Sequence, residues 1–316
     1  AEILATRVAV KESLAAAKRG GDQALARLLD ARQAGLKFIA NVTYGYTAAG
    51  FSGRMPMAEL ADAIVETGRR ALERAVDMVH SRWDGARVVY GDTDSLFVHL
   101  PGRSRAEAFE VGAEIAAAVT ADNPRPVRLK LEKVYQPCLL VTKKRYAGYM
   151  YESPRDETAV VDAKGIETVR RDGCPLLSGT MHRTLQLLFE SPGDLGAVKR
   201  YLQGVFRDAL AGRRPVSDFV FSREVRLGTY TQLPPAAIVA GKAMARDPRA
   251  GPAEGERVRY VVVHGAQGAR LVDRVVSPAE LFEQGLHVDA RWYVEKQVVD
   301  TFKRVVRTAG VDAEGW

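Results

Sequence analysis

Two apolar runs flank a short acidic stretch, and that arrangement restricts this chain more than any other. Arg87-Val88-Val89-Tyr90 leads in, Gly91-Asp92-Thr93-Asp94-Ser95 follows, and Leu96-Phe97-Val98-His99-Leu100 leads out. Both flanks are β-branched or aromatic enough to suit a pleated, half-buried surface, and a brief Gly/Asp stretch between such runs reads as an antiparallel hairpin. The hairpin tip then carries two carboxylates one residue apart. A hard divalent cation such as Mg²⁺ takes oxygen ligands and keeps positions for water or phosphate, so an Asp-Thr-Asp tip suits it. Phosphoryl and nucleotidyl transfer depend on metal ions held in that way. Asp and Gly are also ordinary turn residues, so such a stretch taken alone is more often a solvated turn.

The rest of the chain decides between those readings. With 316 residues, 47% of them apolar and 27% charged, it can form two or three modules with separate cores. A net charge of +7 favours an acidic partner without identifying it. Cys138 and Cys174 have no metal-ligand spacing and no disulfide framework, so free thiols in a reducing compartment are expected. No apolar run approaches the roughly 18 residues of a membrane span. Ala1–Arg7 reads as helix interior rather than a signal peptide, so the chain is expected to begin within a larger structure.

Residues 2–19 and 22–46 read as two helices broken at Gly20-Gly21, with Asp22 as N-cap. Arg7, Lys11 and Lys18 share one side of the first helix; Gln33, Lys37, Asn41 and Tyr44 share one side of the second. Such stripes are either solvated faces or, placed opposite each other, a cradle for an anion and a base. A scaffold helix over about 57–80 buries Leu60, Ile64, Ala71, Leu72, Ala75 and Val79, and packs on the acidic hairpin. A further helix over 104–121, a strand over Val127–Leu131 continuing to Thr142, and a strand over 145–152 complete an α/β sandwich. From about residue 167 the pattern becomes helical, near 175–190, 194–211, 277–284 and 291–308. One strand, Tyr260–His264, interrupts it, and Asp247–Glu256 reads as a loop.

Four blocks in this order resemble the family B DNA polymerases. Lys37-Phe38-Ile39-Ala40-Asn41-Val42-Thr43-Tyr44-Gly45 is similar to the fingers motif, and Tyr90–Ser95 to the metal-binding palm motif. Lys143-Lys144-Arg145-Tyr146 is similar to the Lys-X-Tyr motif that grips primer-template. Lys164-Gly165-Ile166-Glu167 with Arg170-Arg171-Asp172 is similar to the block that opens the thumb. Within the family, Asn41–Thr47 and Phe51-Ser52-Gly53-Arg54-Met55-Pro56 resemble the translesion zeta type rather than alpha, delta or epsilon.

The resemblance implies an α+β, right-hand architecture: helical fingers over 1–50, the C-terminal part of an α/β palm with antiparallel sheet over 51–166, and a mainly helical thumb over 167–316. It implies two-metal addition of dNTPs to a primer 3′ end, with Mg²⁺ on Asp94 and, less directly, Asp92. Glu132 matches an acidic position near the family's metals; pairing with Lys130 or Lys133 is equally open. Arg7, Lys11 and Lys37 would hold the triphosphate, Asn41 and Tyr44 would lie under the nascent base pair, and Lys144, Arg145, Tyr146, Lys164, Arg170 and Arg171 would bind DNA. Lys143 reads as solvated.

The family's other metal-binding block, Asp-X-X-Ser-Leu-Tyr-Pro-Ser, does not occur in these 316 residues. The chain alone is therefore expected to be inactive. A zinc site and an iron–sulfur cluster belong to the family's C-terminal region, outside this sequence. Primer-template DNA and dNTP are the implied ligands. A HORMA-domain accessory subunit and subunits shared with polymerase delta are implied for the whole enzyme, in the nucleus. A replicative delta-type enzyme and a non-catalytic, polymerase-derived DNA-binding scaffold are the competing readings.

Overall fold

A computed structural model describes residues 2–50 and 56–308. Phe51–Met55, part of the zeta-like wording, lies outside the described residues. The chain forms two compact units, residues 1–134 with 152–155, and residues 135–151 with 156–316. Among the described residues the strands form three sheets, of two, three and three strands.

The first unit opens with a helical hairpin, α1 (Glu2–Arg19) and α2 (Gln23–Ala48). The Asp22 carboxylate accepts from the Leu25 N–H at 2.9 Å, satisfying a donor that the first turn of α2 would otherwise leave unpaired. Val10, Leu14 and Ala17 form the buried seam of α1. Next come α3 (Ala58–Arg82), β1 (Arg87–Asp92), β2 (Ser95–His99) and α4 (Arg105–Asp122). Ala75, Met78 and Val79 of α3 pack with Ile115 and Val119 of α4 and with Val88, Leu96 and Val98 of the hairpin. The Val88 N–H donates to His80 Nε2 at 3.0 Å, tying the start of β1 to the end of α3.

The buried stripe expected on α3 holds only in its C-terminal half. Leu60 and Ile64 are 44% and 48% exposed, because the apolar cluster of α4 and the hairpin covers only the later turns. The strand expected over Val127–Leu131 is also absent. Thr120 Oγ1 accepts from the Leu129 N–H at 2.9 Å and donates to its carbonyl at 3.2 Å. One hydroxyl thereby takes the two backbone groups a neighbouring strand would have taken, and the segment stays extended but unladdered.

The second unit contains β3 (Val134–Thr142, its first residue belonging to the other unit), β4 (Arg145–Tyr151), β5 (Val160–Lys164), α5 (Pro175–Glu190) and α6 (Leu195–Leu210). They are followed by β6 (Phe221–Glu224), α7 (Pro235–Arg246), β7 (Arg257–Val262), β8 (Val275–Val276) and α8 (Pro278–Glu283). The C-terminal helix is α9 (Ala290–Trp292), a wide π-turn over Tyr293–Val299, and α10 (Asp300–Thr308). Tyr293 is the keystone: fully buried, it donates to the Phe219 carbonyl at 2.6 Å, accepts from the Val262 N–H at 2.9 Å and stacks on Phe221. Helix α7 is not among the helices expected from the sequence; it starts at Pro235, and proline at the first helical position costs no hydrogen bond.

Candidate functional site

Tyr90 pairs with Phe97 across the hairpin, their rings 5.4 Å apart, and Asp92 pairs with Ser95 at the tip. Two residues, Thr93 and Asp94, make the reversal. Thr93 has φ 57, a conformation disfavoured for a β-branched residue. The Asp94 N–H donates to the Asp92 carbonyl at 2.6 Å, the bond of a γ-turn, whose positive-φ form is rare and strained. Thr93 Oγ1 donates to Asp92 Oδ1 at 3.2 Å, and Ser95 Oγ to the Asp92 carbonyl at 3.1 Å. Asp92 is thereby fixed and half-buried while Asp94 projects into solvent. Strain of this kind collects at functional sites, where surrounding structure holds it.

The donor set fits a hard cation: carboxylate oxygens at an accessible tip, with coordination positions left for water and phosphate. Among the described residues no three Asp, Glu, His or Cys side chains gather as a metal cluster. Glu132 lies exposed on the unladdered segment, without an ion-pair partner among the described residues.

On the helical hairpin, Arg7 continues the seam of Val10 and Leu14, is half-buried, and donates to Gln33 Oε1 at 3.3 Å. Its buried Nε has no partner. Lys11 on the border of that seam, and Lys37, Asn41 and Tyr44 on α2, are exposed. The cationic and mixed stripes therefore meet at Arg7 and Gln33, with the remaining groups presented to solvent.

In the second unit, the turn between β3 and β4 places Lys144 at φ 61. Gly165, at φ 65, lies so close to it that a Cβ there would collide with the Lys144 carbonyl oxygen. The two sequence blocks 143–146 and 164–167 are thus locked by one backbone approach that only glycine permits. Gly148 does similar service for Tyr135, whose ring would be 2.7 Å from a Cβ there. Tyr135 reaches across to donate to Asp162 Oδ2 at 2.6 Å and meets Tyr146 edge-on at 6.2 Å. Burial first, then the Asp162 bond, pushes the Tyr135 phenol well above its ordinary range. Lys164, exposed, pairs with Asp162 at 3.3 Å.

Arg145 binds Glu167 at 2.6 Å, Arg170 forks onto Asp172 at 2.6 and 2.9 Å, and Arg171 is exposed. Sequence reading found these arginines but not their companions. Arg223 and Arg304, which reach Asp172 at 3.2 Å and Glu167 at 3.8 Å, stand in no motif, and nothing in their local sequence marks them.

A right-hand polymerase class fits this combination of helical hairpin, acidic β-hairpin and basic second unit, and comparison with known proteins agrees. The sequence pattern of DNA polymerase family B matches residues 1–309, and the chain belongs to that family. It is 52% identical over its whole length to the DNA polymerase zeta catalytic subunit of Arabidopsis thaliana, and spans 17% of that protein. It is 34% identical, over 96% of its length, to the DNA polymerase delta catalytic subunit of Bos taurus, of which it spans 28%. Among solved structures, the family B DNA polymerase of Pyrobaculum calidifontis superposes with a TM-score of 0.64 at 27% identity, covering 98% of this chain and 38% of that one. No described helix is long and apolar enough to cross a membrane.

Proposed function

We propose that the chain supplies the fingers (1–50), the C-terminal part of the palm (51–166) and the thumb (167–316) of a zeta-type, translesion DNA-directed DNA polymerase. The observation that carries this reading is the strained Asp92-Thr93-Asp94 tip, presenting one fixed and one projecting carboxylate, in a chain far closer to the zeta subunit than to delta. Asp94 is the principal ligand and Asp92 the more remote one, with Glu132 a further candidate. Two Mg²⁺ ions, when bound, supply positive charge against the attacking and leaving oxygens.

Arg7, Lys11 and Lys37 hold the triphosphate by charge-assisted hydrogen bonds. Asn41 and Tyr44 face the nascent pair, and Lys144, Arg145, Tyr146, Lys164, Arg170 and Arg171 bind primer-template backbone. A HORMA-domain subunit and subunits shared with polymerase delta are partners of the whole enzyme, which acts in the nucleus.

Titrating labelled primer-template with residues 1–316 at several salt concentrations tests the DNA half of this reading. Affinity should fall by about 0.9 log units per log unit of salt for each phosphate contact. Salt-independent binding, or none, would remove it.

A further inference from the structure

The second unit contains a polar pocket of about 240 Å³. Arg145, Arg170, Arg223 and Arg304 line it together with only two carboxylates, Glu167 and Asp172. Four guanidiniums against two carboxylates leave a surplus of positive charge. Asp172 is shared, at 2.6 Å from Arg170 and 3.2 Å from Arg223. Glu167 is engaged at 2.6 Å by Arg145, so Arg304 keeps only a 3.8 Å contact and remains 61% exposed. Arg145 Nε and Glu167 Oε2 are buried there without hydrogen-bond partners.

The backbone adds an independent sign. The π-turn over Tyr293–Val299 brings Gln297 to the pocket wall, and Thr301 and Arg304 follow on the same face one and two turns later. Thr301 Oγ1 accepts from Arg304, orienting the guanidinium at 3.1 Å. Such wide turns are rare and recur at functional sites. Guanidinium forks match tetrahedral oxyanions in geometry and charge. The volume is below the roughly 300 Å³ at which pockets begin to take drug-sized molecules, so it suits a phosphate group rather than a whole nucleoside. Arg223 and Arg304 are the more exposed partners in their ion pairs, and such pairs contribute little to stability, so these two arginines can exchange carboxylate for phosphate at small cost.

We propose that this pocket is a phosphate-binding site, in which Arg223 and Arg304 join Arg145 and Arg170 around one tetrahedral phosphate. The phosphate is either a phosphodiester of a bound strand, in which case the proposal rests on the DNA reading above, or a free anion.

Residues 1–316 would be titrated with inorganic pyrophosphate by calorimetry and with primer-template duplex by anisotropy. The forms compared are wild type, Arg223→Ala/Arg304→Ala, the charge-keeping Arg223→Lys/Arg304→Lys, and Arg213→Ala. The last loses a surface cation paired with Asp208 outside the pocket. The site predicts saturable pyrophosphate binding or tighter duplex binding that weakens at least tenfold in the alanine pair, less in the lysine pair, and little in Arg213→Ala. A loss confined to duplex assigns a strand phosphate, and a loss confined to pyrophosphate a free anion. Equal behaviour of the alanine pair and Arg213→Ala toward both probes overturns the pocket while leaving DNA binding in place. If no form binds duplex, the DNA reading falls, and pyrophosphate alone decides the pocket: saturable binding lost in the alanine pair upholds it, and no binding overturns it.

Discussion

Thr93, Lys144 and Gly165 share one property, a positive φ, and each stands inside a block that the sequence singles out. At Thr93 the strained turn separates the two aspartates in role, one hydrogen-bonded and one projecting. At Gly165 the missing Cβ allows contact with the Lys144 carbonyl. Gly165→Ala should therefore cost about 1–3 kcal/mol, since both the backbone conformation and the approach are denied to alanine. Urea unfolding of the chain measures this, and a variant as stable as wild type would show that the two blocks are not locked. If Arg7 and Lys37 hold the triphosphate as proposed, Lys37→Ala and Arg7→Ala in an active polymerase should raise the apparent KM for all four dNTPs and slow the chemical step. Contacts to a triphosphate act in both ground and transition states. Selective loss of one base in steady-state incorporation assays would point to base reading instead.

Elements were legible where a local pattern met its partner. The acidic hairpin, the helical hairpin with its Asp22 cap and the helices over 175–190 and 195–210 fall where periodicity and caps place them. Val127–Leu131 has the period of a strand, but a strand also needs a ladder, and Thr120 supplies the bonds from a helix instead. Thr120→Val keeps the shape and removes both bonds, so it should destabilise the chain by about 1–3 kcal/mol, read from the urea midpoint. An unchanged midpoint would mean that the Leu129 backbone finds water just as easily.

The loop after β5 gives a pH signature. The Arg170 hydrogen bond, aided by Arg223 and opposed by burial, holds the Asp172 carboxyl below its ordinary 3.8. A depressed folded pKa gives stability that is present above the ordinary carboxylate range and lost as pH falls through the folded value. The stability advantage of wild type over Asp172→Asn should therefore be constant from neutral pH to about 5 and shrink below about 4. A gap that grows on acidification would reverse the assignment.

At the scale of the whole molecule, the candidate site was legible as chemistry but only partly as geometry. Two aspartates at a hairpin tip and lysines on helix faces are local facts that spacing reports. The arginine pocket joins β4, the loop after β5, β6 and α10, whose sequence separations exceed any motif, so no pattern could announce Arg223 and Arg304. The exposed Leu60 and Ile64 follow the same logic, since a helix pattern reveals an apolar face and not what covers it.

Everything proposed for the acidic hairpin depends on Asp92 and Asp94 holding the metal for nucleotide addition. The most direct test is primer extension by the Arabidopsis thaliana zeta catalytic subunit with its matching segment replaced by residues 1–316. With the metal held there, this chimera should show dNTP- and Mg²⁺-dependent extension. Asp94→Ala should abolish extension and Asp92→Ala severely reduce it, with duplex affinity kept in both. Extension by an Asp94→Ala chimera within a fewfold of the unsubstituted one would contradict that role of the two aspartates.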